Sequence, residues 1–86
     1  MELKDTAEMM NNVDYRERFK AEYFQLKIRK EKLEVMLKKY KENTLTFIPK
    51  CSYELLHEQV VYMNQYQRIL EERAKIENVD LGDANI

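Results

Sequence analysis

The sequence predicts an all-α protein built as an antiparallel, coiled-coil-like two-helix hairpin. Two observations carry that reading. Apolar residues recur at alternating steps of three and four along two long segments, the period of one helix face. Between those segments lies Thr44–Ser52, a nine-residue break that holds the chain's only proline and only cysteine. The composition agrees: 36% charged, 44% hydrophobic, one Gly and one Pro in 86 residues, the profile of long helices rather than of sheets.

Residues 1–13 are polar except for Leu3, Met9, Met10 and Val13, and read as either a short helix or a frayed arm. The hairpin proper is expected over 14–78. Asp14 is placed to cap the first helix, with Glu17 three residues on at capping-box spacing. That helix is expected over 15–42, with a seam of Phe19, Tyr23, Leu26, Lys30, Leu33, Leu37 and Tyr40. Lys30 interrupts the seam, either reaching water from its edge or meeting an acidic partner or ligand. Phe24, Ile28 and Val35 fall off the seam and widen the apolar surface beyond what one partner helix covers.

Asn43 suits the left-handed residue that ends a helix. In the turn, 43–52, Pro49 holds Ile48 extended and blocks helix. Leu45, Phe47 and Ile48 are expected to plug the open end of the hairpin, with Cys51 a small buried or capping residue. Ser52 is the natural N-cap of the second helix.

The second helix, 53–77, carries two stripes. One is Leu56, Val60, Met63, Gln67, Leu70 and Ala74. The other is Leu55, Gln59, Tyr62, Tyr66, Ile69, Arg73 and Ile76. One stripe suffices for a hairpin; the second implies another neighbour, and in so short a chain that neighbour is expected to be another subunit or a different protein. A core this small rarely supplies more than about 3–5 kcal/mol, which also favours a homo-oligomer. Asn78 ends the helix, and 79–86 is expected to be a mobile tail, unless Val79 and Leu81 fold back on the hairpin.

Composition also narrows function. The net charge of −1 gives no general attraction to nucleic acid or anionic membranes. Residues 14–42 hold ten Lys/Arg against six Asp/Glu, residues 52–77 three against five, and the opposite balances favour docking of the two helices. No apolar run approaches membrane-spanning length and the N-terminus lacks an apolar signal core, so a cytoplasmic protein is expected. One Cys and one His do not make a zinc site or a supported nucleophile–base pair. The only Gly lies in the tail, so no phosphate loop exists. Neither an enzyme nor a cofactor is expected.

The residues singled out for contact are Tyr62, Tyr66, Ile69 and Arg73, because tyrosine and arginine combine area with a polar end and anchor interfaces. Lys27 and Lys30 are candidate anion contacts. The lysines of the first helix are interleaved with glutamates, which argues for a solvated face over a nucleic-acid surface.

From Tyr15 onward the pattern resembles a family of short bacteriophage and prophage proteins named after a crAss-like phage protein. The residues that carry the resemblance are Tyr15, Arg18, Glu22-Tyr23, Leu26, Lys32-Leu33 and Lys39-Tyr40, then Thr44–Phe47 with Pro49 and Cys51. They continue through Leu55-Leu56, Gln59, Met63, Tyr66, Ile69-Leu70-Glu71, Arg73-Ala74 and Ile76-Glu77. The likeness covers about 15–81. Relatives tend to carry Pro after the Cys, where Ser52 stands here. The resemblance implies a phage setting inside a bacterial host. The leading expectation is a non-enzymatic protein that antagonises an anti-phage defence by binding a host protein, as anti-CRISPR proteins do. One alternative is an oligomeric sponge that sequesters cyclic nucleotide immune signals; another is a structural or nucleic-acid-binding accessory protein.

Overall fold

The computed structural model describes residues 1–82 and forms three helices: α1 (Leu3–Met10), α2 (Tyr15–Glu42) and α3 (Tyr53–Glu77). Helix α2 is the axis of the molecule. It packs against α3 as the long hairpin and against α1 on another face. Residues 1–13 therefore supply a helix rather than a frayed arm.

Local chemistry fixes the helix ends. Asp14 caps α2 by accepting from the Arg16 N–H at 2.9 Å. Glu17 instead approaches Lys20 at 3.4 Å. Ser52 caps α3 by accepting from the Leu55 N–H at 3.1 Å. Asn43 and Asn78 both adopt left-handed backbone, with φ of 58° and 57°. Each is followed by a six-to-one closing bond, from Thr44 N–H to Lys39 O at 2.9 Å and from Val79 N–H to Ala74 O at 2.8 Å. Both ends are thus Schellman motifs.

The core gathers Phe19, Tyr23, Phe24 and Leu26 from α2, Leu70 and Ala74 from α3, and Val79 and Leu81 from beyond it. Met9 of α1 and Met63 of α3 close its margins. The inner stripe expected on α3 faces this core: Val60, Leu70 and Ala74 are buried, and Leu56, Met63 and Gln67 partly so. Phe24, outside the seam, is buried nevertheless. Ala21 and Thr6 are completely buried, and Ala21 lies one turn from Gln25, whose amide meets the Met10 sulfur. Alanine there lets α1 come close to α2.

The segment after α3 is no mobile tail as far as Gly82 and takes the alternative course, folding back on the hairpin: Val79 and Leu81 are core residues, because the left-handed Asn78 turns the chain back over Ala74. Residues 83–86 lie outside the described part. The turn does not plug the hairpin either. Leu45 is half-buried, but Phe47 is more than half exposed and Ile48 is 93% exposed. Cys51 is also exposed rather than buried, and the capping is done by Ser52. At this end the seam is closed by side chains of the helices themselves, with the Tyr40 and Tyr53 rings edge to face at 5.7 Å.

Candidate binding surface

The outer stripe of α3 stays open to solvent along its length. Leu55, Tyr62 (65% exposed), Tyr66, Ile69 and Ile76 (81%) all present apolar surface there. At 1.5 Å per residue the stripe runs about 32 Å. With a width of about 10 Å it covers roughly 300 Å², within the size range of the functional patches of monomeric proteins.

Tyr66 and Arg73 also turn toward α2. The Tyr66 hydroxyl donates to the Glu22 carboxylate. Arg73 is the hub of a larger group. Its Nε donates to Glu77 at 3.0 Å, and one terminal nitrogen donates to the Tyr15 hydroxyl at 2.9 Å. Tyr15 in turn donates to the other Glu77 oxygen at 2.7 Å. The guanidinium lies over the Phe19 ring, 5.0 Å from its centre. Arg18 lies over the Tyr15 ring at 5.9 Å and donates to the carbonyls of Asn12 and Val13, both at 2.9 Å. These are cation–π distances.

This group shifts its own protonation. The hydrogen bond from Tyr15 and the one from Arg73 hold the Glu77 carboxyl below the usual range. The same carboxylate raises Tyr15 and Arg73 above theirs. Arg73 is a fixed cation and Glu77 a fixed anion at neutral pH.

Around them opens a depression of ≈ 270 Å³ lined by Met10, Tyr15, Arg18, Phe19, Glu22 and Arg73. It joins helices α1, α2 and α3 and borders the stripe at Tyr66 and Ile69. Two guanidinium groups, the Glu22 carboxylate and the half-exposed Tyr15 ring meet there, with the Phe19 ring buried beneath Arg73, so cations outnumber carboxylates in the lining and one aromatic ring stays open. A larger depression of ≈ 490 Å³ is lined by Glu71, Ala74, Lys75, Val79, Asp80 and Leu81. Its two carboxylates against one lysine do not suit an anion.

The four contact residues singled out in the sequence, Tyr62, Tyr66, Ile69 and Arg73, therefore share one face with the arginine depression at its end. Lys27 and Lys30 do not join them. Lys30 Nζ donates to Asn64 Oδ1 at 2.9 Å. Asn64 stands two residues from both Tyr62 and Tyr66, about 200° around the helix, so this contact lies on the opposite edge of the hairpin. Lys27 is on the same side of α2 as Lys30 and Tyr23. The seam lysine is thus explained within the chain, by an amide of α3. Missing from the sequence reading were Tyr15, Arg18 and Phe19. Spacing offers one signal for them: Tyr15 stands three positions before Arg18 on one helix edge, whereas Phe19 meets Arg73 only across the two helices.

On the buried side of the seam, the Tyr23 hydroxyl donates to Glu71 at 2.7 Å. Gln67 bridges the two, with its amide nitrogen 3.5 Å from the tyrosine oxygen and 3.4 Å from the carboxylate. Burial and the Glu71 bond push the Tyr23 phenol up to about 12. Among the described residues no cluster of three or more His, Cys, Asp or Glu side chains is placed to hold a metal ion, and no helix is long and apolar enough to cross a membrane.

No curated protein and no solved structure matches the chain. The Sequestin family model matches residues 13–76, from the loop before α2 to the last turn of α3, and the chain belongs to that family.

Proposed function

We propose that this protein is a non-enzymatic sponge that sequesters cyclic nucleotide signals of bacterial antiviral immunity. The observation that carries this reading is the placing of Arg18 and Arg73 beside the half-exposed Tyr15 ring, in a depression that borders Tyr66. Guanidinium groups take phosphate oxygens in bidentate fashion, and an adjacent aromatic ring takes a base by stacking. A cyclic nucleotide needs both. The name of the family supports sequestration as the mode of action, and the phage setting implied by the sequence resemblance supports an immune signal as the cargo. Together they favour the sponge over the blocking of a host protein. An open depression on one chain holds such a ligand weakly, so tight capture calls for a second copy to cover it.

Sequestration requires binding without turnover. Purified protein titrated with cyclic mono- and dinucleotides in a calorimeter is expected to bind at least one of them, and heating the complex is expected to release the ligand intact. Arg73→Ala is expected to weaken binding at least tenfold with the helix content unchanged. Absence of binding across such a panel at 100 μM, or release of a linearised product, overturns the proposal. In the first case the host-protein reading takes its place, with the exposed α3 stripe as the contact surface.

A further inference from the structure

We infer that the outer stripe of α3 is a homodimer interface in which two α3 helices lie parallel, related by a twofold axis that runs along them. The stripe is a two-position heptad. Leu55, Tyr62, Ile69 and Ile76 stand at seven-residue intervals, and Gln59, Tyr66 and Arg73 alternate with them. Such a pattern fits the same surface of a second helix. All four residues of the first set are exposed, Ile76 most of all.

The charges on the two margins of the stripe select the orientation. On the margin away from α2 stand Glu54, Glu58 and Glu72, with Arg68 paired to Glu72 at 3.3 Å, all exposed. On the other margin runs an edge of α2 with Arg18, Arg29 and Lys32, also exposed, and Glu22, whose carboxylate is taken by Tyr66. One margin is acidic and the other basic.

Cross-seam bonds set the levels. Tyr15 is level with Arg73 and Glu77, Lys30 with Asn64, and Tyr40 with Cys51. Arg18 is therefore level with the turn that carries Glu72, and Lys32 with the turn that carries Glu58. In a parallel pair each acidic margin lies over the partner's basic edge at the same level, so Lys32 meets Glu58 of the second copy and Arg18 meets its Arg68–Glu72 pair. In an antiparallel pair acid lies over acid, with Glu58 opposite Glu72 of the second copy, and base over base. Like charges held opposite each other are destabilising. In the parallel pair Arg73 meets itself. Glu77, 3.0 Å away in each copy, offsets it.

This assembly does not depend on any ligand, but it bears on the sponge reading. It brings the two Arg73 side chains together at one end of the dimer, with one arginine depression opening on each face of the α3–α3 seam.

The test uses single cysteines in the full chain with Cys51→Ser. In a parallel twofold pair each stripe residue meets its own copy, so L55C and I76C are each expected to oxidise to a covalent dimer alone. If only the mixture of L55C and I76C cross-links, the helices run antiparallel and the inference fails. If neither cross-links and sedimentation at 100 μM shows a monomer, the stripe is not a self-interface and the inference also fails. E58K is expected to weaken the dimer about threefold and E58K/K32E to restore it, in keeping with one exposed pair. Failure of the double variant to recover removes the Lys32–Glu58 pairing and with it the parallel register. Nucleotide binding is read separately, so loss of the dimer and loss of the ligand are distinguishable.

Discussion

The hydroxyl of Tyr23 donates to the carboxylate of Glu71 at 2.7 Å inside the α2–α3 seam, 48 residues away in sequence. Tyr23 is fully buried, so its polar end needs a partner that water cannot replace. Gln67 completes the group with its amide nitrogen, while its own carbonyl oxygen has no hydrogen-bond partner. Together the three side chains fix the register of the hairpin in a seam that is otherwise apolar.

Tyr23→Phe removes the shared atom and leaves a carboxylate and an amide short of a partner. The expected loss is about 1–3 kcal/mol, read as a lower urea midpoint. The substitution also changes the response to alkali. The folded phenol titrates near 12 against 10.0 for the free group. A raised pKa means stability that is whole below pH 10 and lost as pH rises toward 12. The wild-type midpoint should fall over that window by more than that of Tyr23→Phe. Parallel curves for the two would show that the buried hydroxyl does not resist ionisation.

The chain beyond Asn78 is structural. Burying a valine or leucine side chain contributes roughly 1.5–3 kcal/mol. Replacing Val79 and Leu81 together by Ser is therefore expected to cost about 3 kcal/mol or more. That is most of the stability of a domain this size, and circular dichroism should show a large unfolded fraction at 25 °C. A double variant as stable as wild type would place this segment outside the core.

Much of this was legible in the sequence, and the failures have identifiable causes. The helices, their caps at Asp14 and Ser52 and their stops at Asn43 and Asn78 follow from local rules that tertiary contacts do not override here. The two α3 stripes separated cleanly because a seven-residue pattern assigns each residue to a face. What periodicity does not give is where the chain goes after a helix ends. Val79 and Leu81 are apolar residues in a polar tail and so are candidates to fold back; what decides it is that Val79 occupies the position after a left-handed Asn, where a Schellman motif brings an apolar residue back onto its own helix. Phe47 and Ile48 misled in the opposite direction: apolar character in a turn was taken as burial, although isolated exposed apolar residues are ordinary. The site split likewise. Tyr66 and Arg73 were reachable from the α3 pattern, whereas Tyr15 and Arg18 come to Arg73 only through the pairing of α2 with α3. The lysines at 27 and 30 share an acceptable composition with the arginines but lie on the wrong edge.

The exposure of Ile48 gives a direct check on the turn. A side chain 93% exposed loses nothing when made polar, so Ile48→Ser should change the urea midpoint by less than about 0.5 kcal/mol. A loss above 2 kcal/mol would mean that the turn packs onto the hairpin after all.

Helix α1 depends on a small residue. Ala21 and Thr6 are completely buried where α1 meets α2. Ala21→Leu inserts three carbons into that contact, at a cost of about 1–3 kcal/mol. The strain is expected to fall on the shorter helix. Amide hydrogen exchange across residues 3–10 should become fast while exchange in the α2–α3 seam stays slow. Uniform acceleration across all three helices would instead make α1 an integral part of one cooperative unit.

The Tyr15–Arg73–Glu77 group predicts an acid limit for the end of the hairpin. Hydrogen bonds from Tyr15 and Arg73 hold the Glu77 carboxyl below 4.5, its ordinary value. A depressed carboxylate contributes stability that is present above the unfolded pKa and lost as pH falls through the folded one. The loss therefore begins near pH 4.5 and continues below it. Glu77→Gln keeps the shape and removes the charge, so it lacks that acid-dependent contribution. Wild type should be the more stable protein at pH 7, and the difference should shrink steadily as pH falls below about 4.5. The group is exposed, so 1 M salt should also reduce the difference at pH 7 by screening the Arg73–Glu77 pair. A difference between the two proteins that stays constant from pH 7 to pH 3 would show that Glu77 acts only as a hydrogen-bond acceptor, with no contribution from its charge. The same variant bears on Arg73 as a ligand contact. Relieved of the Glu77 charge, its guanidinium has one more donor, Nε, for a phosphate, and Glu77→Gln should bind an anionic ligand more tightly than wild type while folding less stably.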